Sequence, residues 1–241
     1  MAAIVNLRGL WDEDDSDDNN DDDNSNENRF EEQYSIASHD ICNEVIKIRQ
    51  FSFHVANANF IWPGALDLAT YIDTYRSDIY TGGKILELGS ATGFLAIFLA
   101  MKLSKTNNVT NCNDMIVTSD IDDDGIVEQN IKYNFQLNNI DSVLHIPHTW
   151  GTGWTSETHE CSSSSFKYIV ASDILLYVKV YPELVLTLTE LFNGGTICEF
   201  IMSWKRRIAE SKVFFDLMTT AGFHCTRPEN CNGTIYIFTR K

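Results

Sequence analysis

The chain has 241 residues, 44% of them hydrophobic, and a formal net charge of −16 at pH 7. This length and composition suit one sizeable α/β core with room for a tail. A nucleic-acid partner is disfavoured because the sequence has no cluster of basic residues to contact phosphates. No apolar run is long enough to cross a bilayer, so no membrane association is predicted.

The negative charge is concentrated near the N-terminus. Twelve of the 34 acidic residues, but one of the 18 basic residues, lie between Asp12 and Glu32. Such a run of Asp, Asn and Ser buries too little apolar surface to offset the entropy lost on ordering. We therefore predict a disordered acidic tail over residues 1–33 and one folded domain over residues 34–241.

The six cysteines show no C-x-x-C spacing and the six histidines show no ligand spacing, so no metal site is predicted. Free thiols are typical of a reducing compartment. The apolar stretch at the N-terminus is interrupted by Asn6 and Arg8 and is followed by the acidic run. This pattern does not fit a signal peptide. We expect a cytoplasmic protein, with the nucleus as an alternative location.

The folded part begins with residues 44–55, where apolar and polar side chains alternate loosely and predict an N-terminal β ribbon. Pro63 then suits the first turn of a helix whose apolar stripe reaches Ile72. Trp62 stands at the start of that helix, where a hydrophobic anchor is expected.

Residues 84–100 predict a buried strand, a small-residue turn and a buried helix in succession. The turn has the pattern Glu87-x-Gly89-x-Ala91-x-Gly93, which differs from the G-x-G-x-x-G dinucleotide fingerprint. A carboxylate at the turn repels a pyrophosphate, but it suits a ligand with a sulfonium, an ammonium and ribose hydroxyls. The pattern resembles motif I of the S-adenosylmethionine methyltransferases, E-x-G-x-G-x-G, with Ala91 in place of the middle glycine, and the alternative is an ordinary tight turn.

The second strand, residues 115–118, leads to Asp120, where a carboxylate can accept hydrogen bonds from two ribose hydroxyls. Acidic residues come next, at positions 122–124, and they are favourable at the start of a helix, which is predicted to end near Leu137. The later predicted elements are strands over residues 143–146, 166–173, 196–202, 223–226 and 234–239, and helices from Pro182 to Gly194 and over residues 208–221.

This order of elements predicts an α/β fold. We expect a Rossmann-like, seven-stranded, mostly parallel sheet with an antiparallel C-terminal hairpin, preceded by the β ribbon and the tail. The carboxyl end of the fourth strand, residues 171–177, falls at the edge where open α/β sheets bind ligands.

Five landmarks follow one another along the chain. They are Trp62-Pro63-Gly64, Glu87-Leu-Gly89-Ser-Ala-Thr-Gly93, Thr118-Ser-Asp120, Thr149-Trp150-Gly151 and Ala171-Ser-Asp173-Ile-Leu. Their order and spacing resemble methyltransferase family 16, seven-β-strand enzymes that include protein-lysine methyltransferases and a few relatives acting on other residues. The resemblance covers roughly residues 51–238 and implies S-adenosylmethionine (SAM) as the cofactor.

The resemblance also implies a role for each matching residue. Trp62 would pack beside SAM, and Glu87 with the turn at Gly89, Ser90 and Ala91 would hold its amino-acid part. Asp120 would accept hydrogen bonds from the ribose hydroxyls, Trp150 would lie against the adenine, and Ala171 would lie near the sulfonium. Gly93, the last glycine of the motif, completes the set of implied cofactor-binding residues.

Two residues are candidates for the acceptor side of the reaction. Asp173 heads the family's D-x-x-Y motif, which borders the acceptor pocket, although a cap on the helix after the fourth strand would also explain it. Tyr177 stands one place later than the motif's tyrosine. It either replaces that tyrosine or is a packing residue at a helix start.

The implied activity is SAM-dependent methylation of a lysine side chain in a protein substrate. In-line displacement at the methyl group depends above all on positioning, and the acidic surface would attract a basic substrate segment. The alternatives are methylation of arginine, histidine or a small molecule on the same fold, or a non-catalytic binding module that retains the fold. The oligomeric state is left open.

Overall fold

A computed structural model of the protein describes residues 34–54, 57–107, 115–141, 143–154, 166–205, 208–229, 231 and 233–240. The acidic tail predicted over residues 1–33 lies outside the described residues. The strands of the described part are β1 (Tyr34–Ile41), β2 (Glu44–Phe51), β3 (Lys84–Leu88), β4 (Ile116–Asp120), β5 (Leu144–Pro147), β6 (Phe166–Ser172), β7 (Glu199–Ser203), β8 (Phe223–Thr226) and β9 (Ile235–Arg240).

The helices of the described part are α1 (Pro63–Tyr75), α2 (Ile79–Gly82), α3 (Phe94–Asn107), α4 (Ile126–Leu137), α5 (Tyr181–Asn193) and α6 (Lys212–Thr220). Short 3₁₀ turns precede the last two, at Val178–Val180 and Ala209–Ser211. The predicted elements are present within a few residues of their expected bounds. Two elements, β1 and α2, were not singled out from the sequence.

The main sheet has seven strands in the described part of the chain, in the order β5-β4-β3-β6-β7-β9-β8. The first five of these run parallel to their neighbours, whereas β9 pairs antiparallel with both β7 and β8. The predicted Rossmann-like sheet with an antiparallel C-terminal hairpin is therefore confirmed. The chain order reverses between β3 and β6, which is where ligands bind in open α/β sheets.

The parallel strands are apolar on both faces because helices cover both sides of the sheet. Successive residues of a strand pack into two separate apolar clusters on opposite faces of the sheet. Ile85 and Val170 belong to the first cluster, and Leu86 and Ile169 belong to the second. The first cluster includes side chains of α1 and α3, and the second includes side chains of α5 and α6. This layering holds the carboxyl ends of β3, β4 and β6 in fixed positions.

The N-terminal ribbon consists of β1 and β2, paired antiparallel, and it is attached to the domain by asparagines of α4. Asn134 Oδ1 accepts a 2.7 Å hydrogen bond from Arg49 N, and Asn130 Oδ1 accepts one of 2.8 Å from Arg49 Nε. Asn138 exchanges hydrogen bonds of 2.8 and 2.7 Å with the backbone of Lys47. Spaced four residues apart along α4 and its C-cap, Asn134 and Asn138 bond to backbone groups at the edge of β2, and Asn130 bonds to the side chain of Arg49.

Among the described residues, no helix is both long and apolar enough to cross a membrane.

Candidate active site

A cleft opens at the carboxyl edge of the sheet, beside the turn that joins β3 to α3. Its wall is formed by three parts of the chain: the segment that enters α1, the β3–α3 turn with the start of α3, and the end of β6. The lining residues are Phe60, Ile61, Trp62, Ala65, Glu87, Gly89, Ser90, Ala91, Thr92, Phe94, Leu95 and Ser172. Five of the predicted cofactor-binding residues are therefore brought together: Trp62, Glu87, Gly89, Ser90 and Ala91.

The β3–α3 turn is tight and depends on left-handed backbone conformations. Gly89 has φ 69°, and a Cβ there would lie 2.6 Å from Ile174 Cγ2, so a side chain does not fit. Ala91 has φ 48°, which is costly for a residue with a Cβ. The turn is fixed to the neighbouring strand by a 2.8 Å hydrogen bond from Gly89 N to Ser119 O.

Glu87 places a carboxylate in the cleft wall although the residue is only 2% exposed. Its Oε2 accepts a 3.1 Å hydrogen bond from Ala96 N, a free amide in the first turn of α3. Burial raises the pKa of Glu87 well above its ordinary value, and the nearby charge of Asp120 adds to this, while the bond from Ala96 opposes it. A buried acid of this kind is matched to a cationic ligand group.

Asp120 ends β4 next to the same turn. Its Oδ2 accepts a 2.7 Å hydrogen bond from Ala91 N, and its Oδ1 accepts one of 2.8 Å from Ile121 N. Burial raises the pKa of Asp120, and the two backbone donors partly offset that effect. The carboxylate thus holds the turn at Ala91, which is one of the residues that line the cleft.

Aromatic side chains also line the cleft. The rings of Phe60 and Trp62 lie 4.7 Å apart between centroids, and Trp62 adopts the extended backbone that precedes α1. Trp62 Nε1 donates a 2.9 Å hydrogen bond to Asn57 O, which fixes the plane of the indole. Aromatic rings and a buried carboxylate that line the same cleft suit a cationic ligand that also carries a flat ring.

Asp173 contacts the N-terminus of α1. Its Oδ2 accepts a 2.6 Å hydrogen bond from Gly64 N, and the residue is 2% exposed with φ 53°. A Cβ on Gly64 would lie 2.6 Å from the same oxygen, so the helix start can approach this closely only with glycine. Asp173 therefore caps the helix that carries Trp62, rather than the helix after β6. A role in catalysis stays a prediction.

Tyr177 stands immediately before the 3₁₀ turn Val178–Val180 and is half-buried. Its hydroxyl accepts a short hydrogen bond from Asn57 Nδ2. Asp173 and Tyr177 thus both contact the segment that leads into α1, next to Trp62 of the cleft wall. The role of Tyr177 toward an acceptor stays a prediction.

The comparison with known proteins agrees with this geometry. A family profile described as lysine methyltransferase matches residues 42–221. The chain belongs to this methyltransferase family. It is 24% identical over 213 residues to the protein N-terminal and lysine N-methyltransferase efm7 of Aspergillus fumigatus, covering 82% of this chain and 77% of that one. It is 26% identical over 169 residues to EEF1A lysine methyltransferase 3 of Xenopus tropicalis, covering 69% and 68%.

The fold is similar to that of the T. thermophilus 16S rRNA methyltransferase RsmC, solved in complex with AdoMet and guanosine. The TM-score is 0.55 at 13% identity, over 86% of this chain and 50% of that one. At this identity the likeness concerns the fold alone. Membership of the lysine methyltransferase family makes this protein a SAM-dependent methyltransferase.

The residues of the cleft fit SAM in their chemistry. Glu87 and Asp120 supply carboxylates for an ammonium and for ribose hydroxyls, and Trp62 with Phe60 supplies an aromatic surface. The turn from Gly89 to Gly93 brings the backbone close, as a bound nucleoside requires. When bound, SAM supplies a methyl group on a positively charged sulfur, and the residues of this methyltransferase bind and orient it.

Four predicted cofactor-binding residues lie apart from the described lining of the cleft: Asp120, which reaches it through Ala91, and three others. Ala171 is fully buried within β6, between Leu88 and Met202 of the neighbouring strands. Trp150 packs against the apolar cluster that contains α5 and α6, and Gly93 lies just inside the turn, where its N–H donates to Ser90 O at 2.7 Å. Their contacts with SAM stay predictions.

Sequence reasoning missed other residues near the methyltransferase cleft. Asn57 contacts both Trp62 and Tyr177. His54 Nε2 lies 3.3 Å from Asp123 Oδ2, which connects the segment before α1 to the loop after Asp120. Asp123 was expected to cap α4, and it does accept hydrogen bonds of 3.2 and 3.3 Å from Val127 N. Neither His54 nor Asn57 belongs to a local motif that would have identified it.

Proposed function

We propose that this SAM-dependent methyltransferase modifies a lysine side chain in a basic segment of EEF1A. The arrangement that carries the proposal is the buried Glu87 carboxylate and the Trp62 ring in one cleft. The Tyr177 hydroxyl is connected to this cleft through Asn57, which hydrogen-bonds to both Tyr177 and Trp62. The choice of EEF1A is supported by the name of the Xenopus relative. The choice of lysine is supported by the family to which the chain belongs.

The arrangement suits an amine acceptor. A lysine must lose its proton before it can attack a methyl group, and a site that excludes water favours the neutral amine. The aromatic side chains of Trp62 and Phe60 exclude water on one side of the cleft. The Tyr177 oxygen can accept an N–H of the amine and so direct its lone pair toward the cleft.

The proposed basic segment is supported by the charge of the protein. The formal net charge of −16 attracts a segment rich in Lys and Arg, and such attraction raises the rate of encounter. We expect the rate of methylation to fall as ionic strength increases, because salt screens these exposed charges.

The direct test uses the full chain, recombinant EEF1A and SAM labelled in the methyl group. Label is expected on EEF1A, and mass spectrometry of tryptic peptides is expected to place it on a lysine side chain. The Glu87→Gln variant serves as the negative control for the cleft. If the protein binds SAM but leaves EEF1A unlabelled, the proposed acceptor is wrong, and labelling of a cell lysate then shows whether another protein is methylated.

A second acceptor deserves the same assay because the Aspergillus relative is named for N-terminal as well as lysine methylation. A protein α-amino group has the same attacking atom as a lysine and needs the same loss of a proton. Peptide mapping separates the two cases, since the label then lies on the first residue of the substrate. No label on any protein would favour the non-catalytic binding module.

A further inference from the structure

Asn134 of α4 connects the β3–α3 turn to the N-terminal ribbon. Its Oδ1 accepts the 2.7 Å hydrogen bond from Arg49 N of β2, and its Nδ2 donates one of 2.9 Å to Thr92 O. Thr92 belongs to the turn and lines the cleft. The helix packs closely against the turn at this point, since a Cβ on Gly93 would lie 3.2 Å from Ile131 Cγ2. Because Asn134 is fully buried, both of its contacts are shielded from water.

The turn is kept in its conformation by contacts from outside it. Ala91 has φ 48°, a left-handed conformation that is costly for a residue with a Cβ. Before this residue's side chain, Ala91 N donates to Asp120 Oδ2 at 2.7 Å. After it, the carbonyl of Thr92 accepts the bond from Asn134. The two bonds enclose the strained residue, and both favour the conformation that shapes the cleft.

We propose that Asn134 is a positioning residue for SAM, which keeps the β3–α3 turn in the conformation that the ligand needs. Without the bond to Thr92 O, the turn can relax away from the left-handed conformation at Ala91. SAM then binds only the fraction of molecules with the correct turn, and its apparent dissociation constant rises as that fraction falls.

The same side chain couples the ribbon to the cofactor site. A ligand that fixes the turn also fixes the amide of Asn134 and therefore strengthens its contact with Arg49 N, because the coupling between two sites is reciprocal. This role concerns the SAM site alone. It does not depend on lysine or EEF1A as the acceptor.

Asn138 provides a matched control at the end of the same helix. Its Oδ1 accepts a 2.8 Å hydrogen bond from Lys47 N and its Nδ2 donates one of 2.7 Å to Lys47 O, so it attaches the ribbon as Asn134 does. Its Nδ2 also donates to Asn134 O at 2.7 Å, within the last turn of α4. Among the described residues, Asn138 makes no hydrogen bond to the β3–α3 turn. Substitution of the two asparagines therefore separates loss of the ribbon contact from loss of the turn contact.

The first experiment compares the unmodified protein with Asn134→Ala and Asn138→Ala, at a temperature at which circular dichroism shows each to be folded. Calorimetric titration with SAM measures the affinity. Amide hydrogen exchange, followed by NMR in the free proteins, measures the stability of the turn at Gly93 N–H, which donates to Ser90 O at 2.7 Å.

We expect exchange at Gly93 N–H to become about fivefold to tenfold faster in Asn134→Ala, because a hydrogen bond of ordinary strength shifts an opening equilibrium by roughly that factor. The dissociation constant for SAM should rise about threefold to tenfold. In Asn138→Ala both quantities should stay within about twofold of the unmodified protein. Unchanged SAM affinity in Asn134→Ala, or an equal loss in the two variants, would overturn the inference.

A second measurement needs no substitution, so it applies even if Asn134→Ala does not fold. In the unmodified protein, S-adenosylhomocysteine at a concentration that calorimetry shows to be saturating should slow amide exchange at Arg49 N–H. The slowing should be at least about threefold greater than at Lys47 N–H, which is bonded to Asn138 instead of Asn134. Equal slowing at both amides, or slowing at neither, would contradict the coupling. Both experiments omit the acceptor protein, so their outcome is separate from that of the methylation assay with EEF1A.

Discussion

Replacing Glu87 with glutamine should stabilise the free protein and weaken SAM binding at the same time. The substitution keeps the size of the side chain and an oxygen that can accept the 3.1 Å hydrogen bond from Ala96 N. It removes a negative charge that burial disfavours, as the raised pKa of Glu87 indicates. At pH 7 the free protein is therefore expected to unfold less readily than the unmodified one.

We expect Glu87→Gln to weaken SAM binding by more than it stabilises the free protein. A hydrogen bond between a carboxylate and a cationic group contributes about 1.5–3 kcal/mol, and the amide replaces it with a neutral contact. The dissociation constant for SAM should accordingly rise by about 10- to 150-fold. The two effects have opposite signs because the charge is useful only when the ligand is bound.

The assay combines calorimetric titration with SAM and chemical unfolding of the free protein. Glu128→Gln is the control, since Glu128 lies on α4 in an ion pair with Lys132 at 2.5 Å, away from the cleft. It should leave SAM affinity unchanged and alter stability by less than about 0.5 kcal/mol. A change in SAM affinity of less than twofold in Glu87→Gln, or a loss of stability, would refute the reasoning.

The same charge predicts a pH dependence. Because the folded-state pKa of Glu87 is raised, the carboxylate takes up a proton above the ordinary range of glutamate as the pH falls. Protonation favours the free folded protein but removes the charge that SAM needs. SAM affinity should therefore decrease as the pH falls, beginning above the ordinary titration range of glutamate, and the decrease should be smaller in Glu87→Gln. An identical pH profile for both proteins would contradict the assignment.

Four further substitutions test single contacts. Asp120→Ala should weaken SAM binding by about tenfold or more through loss of the carboxylate–diol contact, as measured by calorimetry. Ala91→Gly should raise the free energy of unfolding by about 0.5–1 kcal/mol because it relieves a left-handed alanine. Gly64→Ala should lower it by about 1–3 kcal/mol because the new methyl group meets Asp173 Oδ2. Burial lowers the pKa of His145 to about 4. The free energy of unfolding should therefore decrease by up to about 3 kcal/mol as the pH falls from 6.5 toward that value. His145→Gln should remove this decrease in unfolding titrations at different pH.

The part of the site that the sequence predicted is the part encoded locally. Glu87, Gly89 and Ala91 lie within five consecutive residues, so the local pattern of strand, small residues and helix was enough to place them together. Trp62 could be placed as well, because the proline after it marks the start of α1. The mostly parallel sheet with its antiparallel C-terminal hairpin was predicted from the succession of strands and helices.

The part that was missed depends on contacts between distant segments. Asn57 and Tyr177 are 120 residues apart, and Gly64 and Asp173 are 109 apart. Nothing in the neighbouring residues indicates that an asparagine will find a tyrosine or that an aspartate will cap a helix formed much earlier in the chain. The strand β1 was missed for another reason: most of its side chains are exposed or half-buried, so its sequence lacks the apolar alternation that marks a strand.

The central claim is that SAM binds over the β3–α3 turn, between the Glu87 carboxylate and the Trp62 ring. A crystal structure with S-adenosylhomocysteine tests it most directly. We expect the amino group of the ligand next to Glu87, its ribose next to Asp120 and the indole of Trp62 against it. Density for the ligand elsewhere, or Glu87 and Asp120 directed away from it, would contradict the account.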